Sequence, residues 1–148
     1  MEKGCNQHLV MLDLKFIPPN ELSKVWEIIK PGVEEVRKHG AGWLAEDVYA
    51  SIKTGHSYLH IGYEEDKYIG FVVTENTVVS RGTVINVWCG YSEGNEFEFL
   101  EQCTEIFKEW TKSINAYGVR YISPRTGWVK VAPKLGFKYV GSIYELEV

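Results

Sequence analysis

Apolar and polar residues alternate from Leu9 to Phe16, which puts Leu12, Leu14 and Phe16 on one face of a strand that Pro18-Pro19 ends. Asn20 is then a good N-cap for a helix whose Leu22, Val25, Trp26 and Ile29 form a single apolar stripe. Pro31-Gly32 is expected to break or kink that helix before a short piece carrying Val33 and Val36. A second short helix is predicted over 45–53, closed by Gly55. From Ser57 the period drops to two. Tyr58 to Tyr63 and Lys67 to Thr74 flank the polar turn Glu64-Glu65-Asp66 as a hairpin, and Gly82 to Tyr91 reads as a third consecutive, central strand.

The clearest helix follows. Phe99, Leu100, Cys103, Ile106, Phe107, Trp110 and Ile114 recur at spacings of three and four, with Asn95 and Glu98 placed as a capping box and Tyr117-Gly118 at the far end. Val119 to Ser123 is predicted as a strand, Thr126 to Lys134 as a short helix, and Phe137 to Val148 as a last strand bent near Gly141. The order implies an α/β fold with a central mixed, mostly antiparallel sheet of about six to seven strands and helices on both faces.

Composition narrows the class. A chain of 148 residues has room for one domain, 1–148, which buries roughly 70% of the surface its unfolded form exposes. Apolar residues make up 45% of it and charged residues 24%, which excludes a disordered tail or a coiled coil. The net charge of -4 argues against a phosphate-tracking nucleic-acid face. Cys5, Cys89 and Cys103 are an odd count without framework spacing, which fits free thiols in a reducing compartment. Asp13 and Lys15 interrupt Leu9 to Ile17, the longest greasy N-terminal stretch, so neither an export signal nor a membrane span is expected there. The expected setting is the cytoplasm.

Two segments resemble the GNAT superfamily of acyl-CoA-dependent N-acyltransferases. Asp66-Lys67-Tyr68-Ile69-Gly70-Phe71-Val72-Val73 is similar to that family's hairpin strand, and Lys134-Leu135-Gly136-Phe137-Lys138 is similar to the ending that follows its last helix. The Ser-Pro-Arg-x-Gly-Trp segment from Ser123 to Trp128 resembles small phage-encoded GNAT-like proteins, for which host cytoplasm or virion is the implied location. The resemblance implies that the fourth strand and the strand after the long helix splay apart. Pantetheine of acetyl-CoA would then bond to the backbone of Val87, Trp88 and Cys89, and the pyrophosphate would meet amides near Gly94 and Asn95 at the helix start.

The same comparison exposes departures. Tyr91 to Glu98 holds one glycine, no Lys or Arg, and three glutamates where two phosphate charges would arrive. At an effective dielectric of about 20, like charges about 4 Å apart repel by about 4 kcal/mol, whereas helix-end electrostatics contribute only about 0.3–1 kcal/mol. Unless these carboxylates turn into water, repulsion wins. Glutamate in a first helical turn is also ordinary helix-dipole chemistry. Ala132 stands where many GNAT enzymes carry a tyrosine acid, so no catalytic residue is assigned, with Tyr121, Tyr139 and Tyr144 as substitutes from strands.

Other constellations carry less. His56 and His60 would lie about 13 Å apart along a strand, too far to share an ion, and no metal is expected. Ser123, Arg125 and Trp128 would sit at the cleft mouth, where Arg beside Trp grips a carboxylate, a phosphate or a partner surface, or else closes a helix end and plugs the sheet edge. Two functions follow. One is an acyltransferase with a degenerate phosphate loop that acetylates a small-molecule or protein amine, and the other is a catalytically silent binding or virion-associated module with a protein partner or a second copy of itself.

Overall fold

The structure, a computed structural model, describes residues 11–40, 42–123 and 127–148. Its strands are β1 (Asp13–Ile17), β2 (Tyr58–Glu64), β3 (Lys67–Val79), β4 (Gly82–Ser92) and β5 (Gly118–Tyr121), joined in that spatial order in one sheet. The first four pair antiparallel, and β5 joins β4 in parallel. A parallel neighbour needs a crossover, supplied by α3 (Glu96–Ser113). Helices α1 (Leu22–Arg37) and α2 (Ala45–Lys53) cover one face, α3 covers the other, and α4 (Trp128–Lys134) follows β5. The expected mixed, mostly antiparallel α/β architecture is the one observed.

Alternation along the strands feeds two cores. Ile29 and Val33 of α1 and Val48 and Ile52 of α2 bury against Leu59, Ile61, Phe71 and Val73. On the other face Phe99, Cys103 and Phe107 of α3 bury against Leu12, Val72 and Val87. Each such side chain contributes about 1.5–3 kcal/mol by leaving water.

Three expectations need correction. The first helix does not break at Pro31 but runs unbroken to Arg37, because Ile29, Gly32 and Val33 are all drawn onto the sheet; its start is a 3-10 turn, Pro19–Glu21, and not a cap at Asn20. The hairpin of β3 and β4 extends past Thr74 to the tight turn at Ser80-Arg81, which Gly82 leaves at φ +139°. The last predicted strand is absent: 137–148 has no regular structure, and Val140, Ile143, Tyr144 and Leu146 are exposed. Alternation makes a strand only beside an edge to pair with, and β5 offers four residues. The sheet therefore has five strands among the described residues.

Candidate functional site

β4 and β5 are partners only from Val84 to Val87 and from Gly118 to Tyr121. Beyond that, β4 continues to Ser92 and, among the described residues, is paired on its β3 side alone, while the chain leaving β5 at Ile122 and Ser123 is no longer a strand. The cause is visible on the opposite edge. Val73 pairs with Cys89 but Thr74 pairs with Val87, which leaves Trp88 as the extra residue of a β-bulge. A bulge bends and twists its strand. Trp88, Cys89 and the residues that follow thus turn an unpaired backbone edge into a gap.

Helix α3 begins at the end of that gap. Asn95 is its N-cap, and its Oδ1 accepts from the Glu98 amide at 3.0 Å, the Asn95 half of the expected capping box. Two more amides of the tip are bonded within the chain: Glu93 donates to the Ile69 carbonyl at 2.9 Å and Gly94 to Ser92 Oγ at 3.3 Å. The three glutamates are all exposed, so water screens them. Glu93 lies on the hairpin side, where it joins burial in pushing the Tyr68 phenol above its ordinary range.

The N-terminal turn of α3 and helix α4 enclose a cavity of about 370 Å³ lined by Asn95, Glu96, Phe97, Leu100, Gly127, Trp128 and Val131. The Trp128 ring lies 4.6 Å from that of Tyr121, and Phe137 meets Tyr121 edge-on at 4.9 Å, so Trp128 both lines the cavity and closes the sheet below it. Of the residues singled out from the sequence, Val87, Trp88 and Cys89 flank the parting, Gly94 and Asn95 form the helix tip, Ser123 follows β5, and Trp128 walls the cavity. Arg125 lies outside the described residues.

Side-chain chemistry at the gap is sparse. Cys89 is buried among the α1 and α2 side chains, and burial pushes its thiol up to about 12, so it offers backbone and no nucleophile. Tyr121 turns to the α3 side, where burial raises its phenol above the usual range. Tyr139 and Tyr144 stand in water.

Sequence reasoning missed two features on the α1 side. Trp43, in the loop between α1 and α2, meets Trp88 edge-on at 5.8 Å. Below it, Glu75 of β3 accepts from Asn86 Nδ2 of β4 at 3.2 Å and from Ser57 Oγ at 3.4 Å. The second was within reach, since a two-residue turn at Ser80-Arg81 sets Glu75 opposite Asn86 by register alone.

The sequence matches no protein-family model and no curated protein. The arrangement of strands and helices does match: this is the fold of the GNAT acetyltransferases. A ribosomal-protein-alanine N-acetyltransferase from Brucella melitensis biovar Abortus 2308 superposes with a TM-score of 0.70 at 10% identity, over 93% of this chain and 99% of that one. An aminoglycoside N-acetyltransferase in complex with CoA gives 0.67 at 12% identity, over 100% and 98%. An aminoglycoside acetyltransferase from an uncultured soil metagenomic sample, in complex with sisomicin, gives 0.66 at 11%, over 93% and 97%. At such identities the likeness establishes the fold.

Proposed function

We propose that the chain is an acyl-CoA-dependent N-acyltransferase that moves an acetyl group from acetyl-CoA to an amine. The observation that carries this reading is the parting of β4 from β5 at the Trp88 bulge, with a helix N-terminus at the end of the gap. An unpaired strand edge suits the amides of a pantetheine arm, because it offers N–H and C=O groups in register. CoA bound to a protein of the same fold, and sisomicin bound to another, support a thioester donor and an amine acceptor.

The helix tip fits a diphosphate less well. Amides of Glu93, Gly94 and Glu98 are already bonded within the chain, and no cation stands between Tyr91 and Glu98. Donor affinity should therefore rest on the strand edge and on the cavity beneath Trp128. Acetyl-CoA supplies the thioester. The chain would supply backbone donors on β4 for its carbonyl and an apolar wall from the Trp43 and Trp88 rings, which meet edge-on over the bulge. Ala132 stands at the usual tyrosine position and offers no proton, so the proton that the acceptor amine loses would be the one that neutralises the departing thiolate. The same occupied, acidic tip favours a second reading, a GNAT-fold binding module without catalysis.

Titration calorimetry with acetyl-CoA separates the two: saturable binding supports the enzyme, and no heat leaves the module. Gly94 has open space around it, so Gly94→Glu should fold normally yet weaken acetyl-CoA binding by about tenfold through added repulsion. An unchanged dissociation constant would remove the phosphates from this helix tip.

A further inference from the structure

The last two residue pairs before β4 and β5 part are Asn86 with Arg120 and Val87 with Tyr121. Val87, Val119 and Tyr121 all pack on the α3 side, so alternation sends Asn86 and Arg120 to the opposite face. There Asn86 is bonded to Glu75. Across three neighbouring strands the sheet thus carries a carboxylate, a carboxamide and a guanidinium in one row, at the lip of the gap on the side facing away from α3.

Two features mark this row as incomplete. Glu75 and Arg120 are both only partly buried, and neither forms an ion pair among the described residues. Asn86 gives its NH2 to Glu75, while its Oδ1 is buried without a hydrogen-bond partner. Buried polar atoms are rarely left so, and the missing partner must be a donor. A carboxylate with a carboxamide oxygen beside it suits an ammonium, and an unpaired guanidinium suits a carboxylate.

Spacing admits a small zwitterion. The backbones of Glu75 and Arg120 are two strand intervals apart, about 9.6 Å, and both side chains are long enough to close on a shorter span. An α-amino acid, with one hydrogen bond of about 2.9 Å at each end, spans about 9 Å. We propose that the Glu75–Asn86–Arg120 row binds the ammonium and carboxylate of a free α-amino acid, presenting its amine to the strand edge at Trp88 with the side chain against the Trp43 and Trp88 rings. As the acceptor site this rests on the acyl-transfer reading, while binding itself does not need acetyl-CoA.

The test is calorimetric titration of the full chain, without any CoA, using L-leucine, L-leucinamide and 4-methylpentanoate. L-leucine is expected to bind saturably and at least about tenfold more tightly than either analogue, each of which lacks one charge. Arg120→Gln should cost L-leucine about tenfold and leave L-leucinamide unchanged, and Glu75→Gln should do the converse with 4-methylpentanoate. Unchanged melting curves of both variants show that the fold is intact, and retention of L-leucine binding in Arg120→Lys supports a charge contact. Equal binding of L-leucine and L-leucinamide, or no L-leucine binding while acetyl-CoA binds, overturns the proposal. L-leucine binding without acetyl-CoA binding upholds the row and instead defeats the acyl-transfer reading.

Discussion

His60 stands on β2 with its ring 4.4 Å from that of Trp110 and 5.6 Å from that of Phe16, and burial pushes its imidazole down to about 4. A folded-state value below the unfolded one near 6.5 means that protonation favours the unfolded chain. The stabilisation is present in full above about pH 6.5, falls as pH drops through that window towards 4, and amounts to about 3 kcal/mol. Urea unfolding at pH 7.5 and pH 4.5 should therefore show a larger loss for wild type than for His60→Phe, which keeps the ring contacts without a titrating nitrogen. Equal losses would assign acid sensitivity elsewhere. The sequence placed His60 on a strand and denied it a metal partner, but its contact with α3 depends on where a helix thirty-odd residues away is laid down, and strand periodicity carries no such information. Glu75 is the converse case, since the turn at Ser80-Arg81 sets it opposite Asn86 by register alone, one residue beyond the expected strand end at Thr74.

Elements follow local pattern where their own residues decide the outcome. The start of helix α3 was legible because a full apolar stripe and an Asn95 cap agree, whereas its expected end at Tyr117-Gly118 was too late: the helix ends at Ser113, Asn115 takes the left-handed turn at φ 57°, and Gly118 opens β5. Helix α1 was not, since Pro31 and Gly32 signal a break that tertiary burial overrides. Gly32 explains why glycine stands there: a Cβ at that position would lie 2.5 Å from Tyr91 Cδ2 and 2.9 Å from Phe71 Cε2. Gly32→Ala should raise local helix propensity and still destabilise the protein by about 1–3 kcal/mol, because α1 must lift off β4 to admit one methyl group. Chemical denaturation measures this, and a stabilised variant would mean that the helix has slack. The bulge at Trp88 was illegible for a different reason, as it exists only as a mismatch between two strands and has no residue signature of its own.

For the whole molecule, chain order sufficed to predict a sheet with a core on each face, and the opening between β4 and β5 was predicted by resemblance to a family and not by periodicity. The tail shows the limit of pattern. Phe137 is held against Tyr121 and Trp128, whereas Ile143 is 72% exposed. Phe137→Ala should cost about 2 kcal/mol or more, and Ile143→Ser less than about 0.5 kcal/mol. Thermal melts of the two variants check the contrast, and a comparable loss at Ile143 would mean that the tail docks in solution.

The edge-on meeting of Trp43 and Trp88 has an optical consequence. Two indoles held at 5.8 Å and 68° couple their strong far-ultraviolet transitions, so the native chain should carry an excitonic dichroic couplet that Trp43→Phe abolishes. Because one partner is the bulge residue and the other belongs to the loop between α1 and α2, that couplet reports whether the loop rests on β4, readable in a ligand titration without any added label.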